Sequence, residues 1–267
     1  MTRNNKSCRS NIRRNKKAAS PAISMVIITA AIVVLVMVSG SYALQVLERQ
    51  QASSEFEAMQ KSFLAFDDAI RDVAWKGGAS RSVRFAINRG SFQMISDTRS
   101  FKITFNGETL EEFDTAVIKY TMQNSYVTLG SGYSSFILGN NMSAVSSVTD
   151  SLGLVLVQQE SGLASISLSY RIRVSSPYTL DSGSTNYVDI LIIKLSSADL
   201  SIDTGDFDLA AKNMRVRTEI IGPIEVNPGE YDILVSAEGL KDTTIPIQLN
   251  RDQVIFNLIT SEVKVSP

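Results

Sequence analysis

The chain has 267 residues, 44% hydrophobic and 20% charged, with 26 Lys and Arg against 27 Asp and Glu for a net charge of −1. It has no histidine and a single cysteine, Cys8. This excludes Ser-His-Asp and Cys-His catalysis, zinc sites of the His/Cys kind and any disulfide within the chain.

Charge is unevenly placed along the chain. Residues 1–18 hold seven of the cations and no acid, which leaves nineteen basic against 27 acidic residues for the remainder. A basic arm can bind nucleic acid. Here it abuts an apolar run, and the positive-inside rule accounts for it: the arm stays cytoplasmic and the rest of the chain is exported. No nucleic-acid partner is expected.

From Ala18 to Leu47 no residue is charged, a run of 30 residues. As a helix it would reach roughly 45 Å, against a hydrocarbon core of about 30 Å. A secretory signal has an apolar region of only about 7–15 residues, so a cut after "SYA", 41–43, is the weaker reading. Ser20-Pro21 reads as a helix start. Ser20 can cap, and Pro21 at the first helical position lacks only an N–H that would have no partner there. Beyond the apolar run the helix formers continue without Gly or Pro to Gly77-Gly78. In that upper half Ala52, Phe56, Met59, Phe63, Phe66, Ile70 and Val73 recur in alternating steps of four and three. They form one apolar stripe, expected to lie on the chain's own sheet.

After the glycine pair the period changes to two. Val83, Phe85 and Ile87 alternate, as do Phe101, Ile103 and Phe105. In "SISLSYRIRV" Ile166, Leu168, Tyr170, Ile172 and Val174 take one face, and Ser165, Ser167, Ser169, Arg171 and Arg173 the other. The nearly continuous apolar run 187–195 reads as a central strand covered on both sides. Further strands are expected in "YDILVSA", "TTIPIQL" and "QVIFNLI". The segment 144–153 reads equally as a short helix or a loop. The expected class is α+β: a long N-terminal helix, membrane-spanning and then amphipathic, followed by an antiparallel β-sandwich-like head. The expected divisions are a basic leader at 1–18 and the helix at 19–76, with its transmembrane half at about 22–46. After these come a β-rich head at 79–198 and a C-terminal β subdomain at 199–267.

Candidate chemistry is sparse. Asp203, Asp206 and Asp208 lack the spacing and terminal Glu of a calcium loop and read as a solvated acidic turn. "GSGYSS" lacks the third glycine of a dinucleotide loop. Ser261 and Lys264 have Ser-x-x-Lys spacing, but on a strand they point to opposite faces. Asn141-Met142-Ser143 is an N-glycosylation acceptor triplet. Nothing here calls for an enzyme, a metal or a cofactor.

The cationic cluster, small residue, Ser-Pro and uncharged helix of "KKAASPAIS" resemble the class III signal peptide of archaeal type IV pilins, relatives of the archaeal flagellins. The likeness covers about residues 13–47. It implies a processing site made of Lys16, Lys17, Ala18, Ala19, Ser20 and Pro21, cut by a prepilin peptidase between Ala18 and Ala19. It also implies a pilin-like subunit that assembles through its apolar stem into a surface filament, with itself or with other pilin-like subunits. The head is large for a major pilin, so a minor or adhesive role stays open. The alternative is a single-pass anchored protein whose extracellular β-domain binds an envelope component, as stator-like accessory proteins do.

Overall fold

A computed structural model describes residues 21–180 and 183–267. One helix, α1 (Pro21–Ala74), precedes fourteen strands. These are β1 (Ser80–Ile87), β2 (Ser91–Phe105), β3 (Glu108–Gln123), β4 (Ser134–Leu138), β5 (Gly153–Glu160), β6 (Leu163–Tyr170) and β7 (Arg173–Val174). They continue with β8 (Tyr178–Thr179), β9 (Thr185–Ser196), β10 (Leu200–Ile202), β11 (Gly205–Glu225), β12 (Gly229–Ala237), β13 (Thr243–Leu249) and β14 (Gln253–Ser266). The chain forms two compact units, one ending at Glu48 and the other running Arg49–Pro267.

α1 is helical from Pro21, the first described residue, and ends at Ala74, two residues short of the expected 76. In the first unit its apolar side chains from Ile23 to Leu47 are exposed around the whole helix. The hydroxyls that interrupt this surface are satisfied locally: Thr29 donates to the carbonyl of Met25 or Val26, and Ser41 to that of Met37.

The second unit holds two sheets. One has the order β1-β11-β14-β9-β7, with β8 also on β9; the other has the order β13-β12-β2-β3-β6-β5-β4, with β10 on β2. Pairing between named strands is antiparallel except for β14 with β9, which is parallel. A parallel neighbour needs a long crossover, and here β10 to β13 supply it.

Two cores hold these layers. In the first, the α1 stripe packs on both sheets: Phe56, Phe63 and Phe66 meet Phe85 of β1, Phe92 of β2 and Tyr120 of β3. All seven stripe residues, Ala52 to Val73, are buried. In the second, the sheets meet each other. Phe101 and Phe105 of β2 and Ile233 of β12 pack with Val188 of β9 and Phe256 of β14, and the rings of Phe105 and Phe256 lie 4.8 Å apart.

The long strands serve both cores. On β9, Val188, Ile190 and Ile192 belong to the second core, while Ile193 and Leu195 belong to the first. β14 divides in the same way, Val254, Phe256 and Leu258 against Val263 and Val265. Each strand is therefore covered on one face at one end and on the other face at the other end. β2 divides in the same way, Phe92 and Met94 against Phe101, Ile103 and Phe105. The two extra residues between Ile95, opposite Val117, and Arg99, opposite Thr115, leave its alternation unchanged, being even in number. Where the cores meet, the buried hydroxyl of Thr115 on β3 accepts the N–H of Leu195 on β9 at 2.9 Å.

Two expectations are corrected, and one open alternative is decided. The head does not divide at 198/199, because β1 pairs with β11 and β2 with β12, so strands from both sides of that boundary share each sheet. The run "SISLSYRIRV" is not one strand. β6 ends at Tyr170 in one sheet and β7 begins at Arg173 in the other, and Ser165, Ser169 and Arg171 are buried on the face read as polar. Of segment 144–153, read equally as a helix or a loop, 144–152 is a loop, tied by bridges of Ser143 to Lys241 and Val145 to Ile172, and Gly153 opens β5.

Candidate functional site: an apolar helix and its seat in the head

The most distinctive chemical feature is α1 itself. Residues 23–47 carry no charge and, apart from Gln45, present only apolar or hydroxyl-bearing side chains and backbone, and this helix is long and apolar enough to cross a membrane. From Ala52 onward the same helix is fastened to the head by polar groups at three levels.

At the first level, Glu55 reaches the loop by which the chain passes from β1 in one sheet to β2 in the other. Its Oε1 accepts the backbone N–H groups of Asn88 at 3.0 Å and Arg89 at 2.9 Å, and the Tyr120 hydroxyl lies 3.1 Å away. A loop that leaves one sheet for another has N–H groups without a ladder partner, and a carboxylate from a neighbouring helix satisfies them. An open depression of about 680 Å³ lies here between Gln51, Ser54, Glu55 and Ala58 of α1 and Asn88 and Arg89. Its carboxylate is already engaged by these donors.

At the second level, Asp67 is 1% exposed. Tyr170 donates its hydroxyl to Oδ1 at 2.7 Å, and Arg71 Nε stands 2.8 Å from Oδ2. Tyr170 ends β6 directly opposite Gly153, the first residue of β5. A Cβ on Gly153 would lie 2.0 Å from Asp67 Oδ1. The missing side chain is the space that the carboxylate occupies.

At the third level, the helix ends against β11 and β14. The last carbonyls of a helix lack internal partners. That of Ala74 accepts both Asn213 Nδ2 and the Ser261 hydroxyl. Asn213 also holds the chain leaving the helix, accepting Gly78 N–H at 3.1 Å and donating its own N–H to Ala79 at 2.9 Å.

Burial raises the Asp67 carboxyl above its ordinary 3.8, and the Tyr170 hydrogen bond and the Arg71 charge offset only part of this. The folded chain thus holds the proton more tightly than the unfolded chain. Its contribution is fully present below about 3.8 and is lost as pH rises through the higher folded value. Asp67→Asn keeps an acceptor for Tyr170 without a buried charge. It should flatten the pH dependence over that window and leave stability near neutrality unchanged or higher. Urea melts from about pH 4 to about pH 7 read both effects.

Of the processing residues, Lys16, Lys17, Ala18, Ala19 and Ser20 lie outside the described residues, and Pro21 opens α1. Asn141 is exposed, in a turn where its Oδ1 accepts Ser143 N–H at 3.0 Å and faces Arg171 Nη1 at 3.4 Å. The Ser143 hydroxyl pairs with that of Thr243 at 2.6 Å. Asp206 pairs with Arg84 at 2.8 Å, across the β1–β11 ladder. Among the described residues no three His, Cys, Asp or Glu side chains converge as metal ligands would. Ser261 serves the helix end, and Lys264, three residues on, is exposed. Asp67, Asn213 and Gly153 carry no motif. Only the interruption of the apolar stripe's neighbourhood by an acid at Asp67 was visible beforehand. No family model, no curated protein and no solved structure matches the chain.

Proposed function

We propose that this protein is a pilin-like structural subunit of a surface filament, processed between Ala18 and Ala19 and assembled through residues 19–47 of its helix, in a minor or adhesive role. The observation that carries the reading is the exposed apolar surface of α1 from Ile23 to Leu47. It spans more residues than the roughly 20 a bilayer needs. It also comes after a basic arm whose removal would free an uncharged stem, since unpaired charge cannot enter an apolar filament core. Before assembly the helix would hold the protein in the cell membrane, with a cytoplasmic N-terminus and an extracellular head. The head is taken as a β-sandwich, a reading supported by the core shared between the sheets.

A second reading is favoured by the upper stripe, which is buried in the chain's own head rather than left for neighbours. On that reading the protein stays a single-pass anchor and its head binds an envelope component.

Intact mass and N-terminal sequencing of the mature protein decide between them. We expect a chain starting at Ala19, and Lys17→Glu or Ala18→Leu to abolish the cut. A chain starting at Met1 supports the anchored reading. One starting at Leu44 means ordinary secretion and removes the stem.

A further inference from the structure

β11 is the longest strand, yet only its first part has neighbours on both sides. β1 covers it from Gly205 to Lys212, and β14 accompanies it on the other side as far as Glu225. Beyond Asn213 no described strand lies on the β1 side. α1 does not shield this edge either, because it ends at Ala74 against Asn213. Over 214–220 the strand is exposed except at Glu219, which is half-buried and lies 3.0 Å from Arg217 on the same face. Met214 is 53% exposed, Val216 41% and Ile220 65%, and Arg215, Arg217 and Thr218 are exposed too. Such an edge invites another strand; no proline interrupts 214–220, while the bulge at Met214 and the charges of Arg215, Arg217 and Glu219 restrict which strand can pair there.

We infer that this edge pairs antiparallel with the same edge of a second copy, in a register centred on Thr218. The backbone restricts the choice first. Asn213 exchanges hydrogen bonds with Gly78 and Ala79, so its N–H and C=O point to the open side. Met214 is an extra residue, since Asn213 lies opposite Val263 and Arg215 opposite Glu262. After this bulge, alternation turns the groups of Val216, Thr218 and Ile220 outward and those of Arg215, Arg217 and Glu219 toward β14. A two-fold pairing makes hydrogen bonds only where outward residues meet outward residues, so its axis must pass through a residue and not between two.

Charge restricts the choice next. An axis through Arg217 sets Arg217 against its own copy, and one through Glu219 sets acid against acid. The axis through Thr218 sets Arg217 against Glu219 of the second copy, twice. It places Val216 opposite Ile220 and Thr218 opposite Thr218, each such pair exchanging two N–H···O=C bonds. The apolar pairs cover each other on one face while the opposite charges meet on the other. The occupant is therefore a second copy of this chain, through a closed, self-complementary interface.

The test uses the full chain in detergent, with Cys8→Ser as background. Opposed positions of non-hydrogen-bonded pairs are close enough for a disulfide, whereas Arg217 and its own copy, two residues out of register, are not. Oxidation should link Arg217→Cys/Glu219→Cys into dimers, and neither single cysteine should link. In sedimentation, Arg217→Glu should raise the dimer dissociation constant about tenfold, and Arg217→Glu/Glu219→Arg should restore it. Unchanged thermal melts of these surface variants establish that folding is intact. A monomeric parent, single cysteines that link as well as the pair, or a dimer indifferent to Arg217→Glu would each overturn the proposal. The last result would assign association to the apolar helix.

Discussion

Replacing Phe63 by Ala should lower the unfolding free energy of the head by about 3–5 kcal/mol. Phe63 is 1% exposed. Its ring meets Phe85 edge-on at 5.9 Å and Phe92 at 6.2 Å, so α1, β1 and β2 converge on it. Truncation removes the transfer energy of the ring and leaves a cavity that a helix clamped at Glu55, Asp67 and Ala74 cannot close. Phe63→Asp should yield an unfolded or aggregated head, because no cation lines that core to pair with it. Denaturant melts of residues 49–267, or of the full chain in detergent, provide the measurement. Midpoints unchanged by both substitutions would mean that the stripe serves neighbouring subunits and not its own head.

Gly153→Ala should be almost as costly, about 2–4 kcal/mol, although it adds one carbon. The added Cβ would sit 2.0 Å from Asp67 Oδ1, 2.9 Å from its Cγ and 3.2 Å from Leu138 Cδ2. The carboxylate cannot turn to water, since Asp67 is buried and held by Tyr170 and Arg71. Either α1 lifts from β5 or the Tyr170 hydrogen bond breaks. Combining the change with Asp67→Ala should cost clearly less than the sum of the two alone, because the carboxylate is the obstacle. Gly77→Ala, where a Cβ meets nothing within 4 Å, serves as control and should be nearly neutral. Full additivity of the Gly153 and Asp67 changes would show that the contact does not limit the packing.

The elements most legible beforehand were those with one covered face. The α1 stripe and the alternations of β1, of 101–105 in β2 and of 253–259 in β14 each repeat a single period against a single core. β11 escaped detection for the converse reason. Its stretch 214–220 is exposed except at the half-buried Glu219, so apolar and charged residues alternate there without a buried side to mark a strand. Arg171 was placed on a solvent face by alternation. It is instead 1% exposed and donates to the carbonyl of Ser151 at 2.6 Å, because the chain is changing sheets at that point.

The seat of the helix was hidden in another way. Asp67 lies on α1, Gly153 on β5 and Tyr170 on β6; Ala74 ends the helix, and Asn213 and Ser261 lie on β11 and β14. No local spacing joins residues so far apart. A head beginning at 79, which alternation alone suggested, would also lack the α1 side of the first core, and the compact unit begins at Arg49.

What the sequence determined by itself was everything set by local periodicity and by the medium. The uncharged run after a basic arm, the change from a uniformly apolar helix to a striped one and the change from period 3.6 to period 2 need no knowledge of distant residues. Only the tertiary structure decided that strands from both ends of the chain share two sheets, and that β14 lies parallel to β9. It alone showed that β2, β9 and β14 turn opposite faces to two different cores. Periodicity reports whether a face is buried. What buries it is set by contacts between residues far apart in the chain, and here those contacts change partner along the length of single strands.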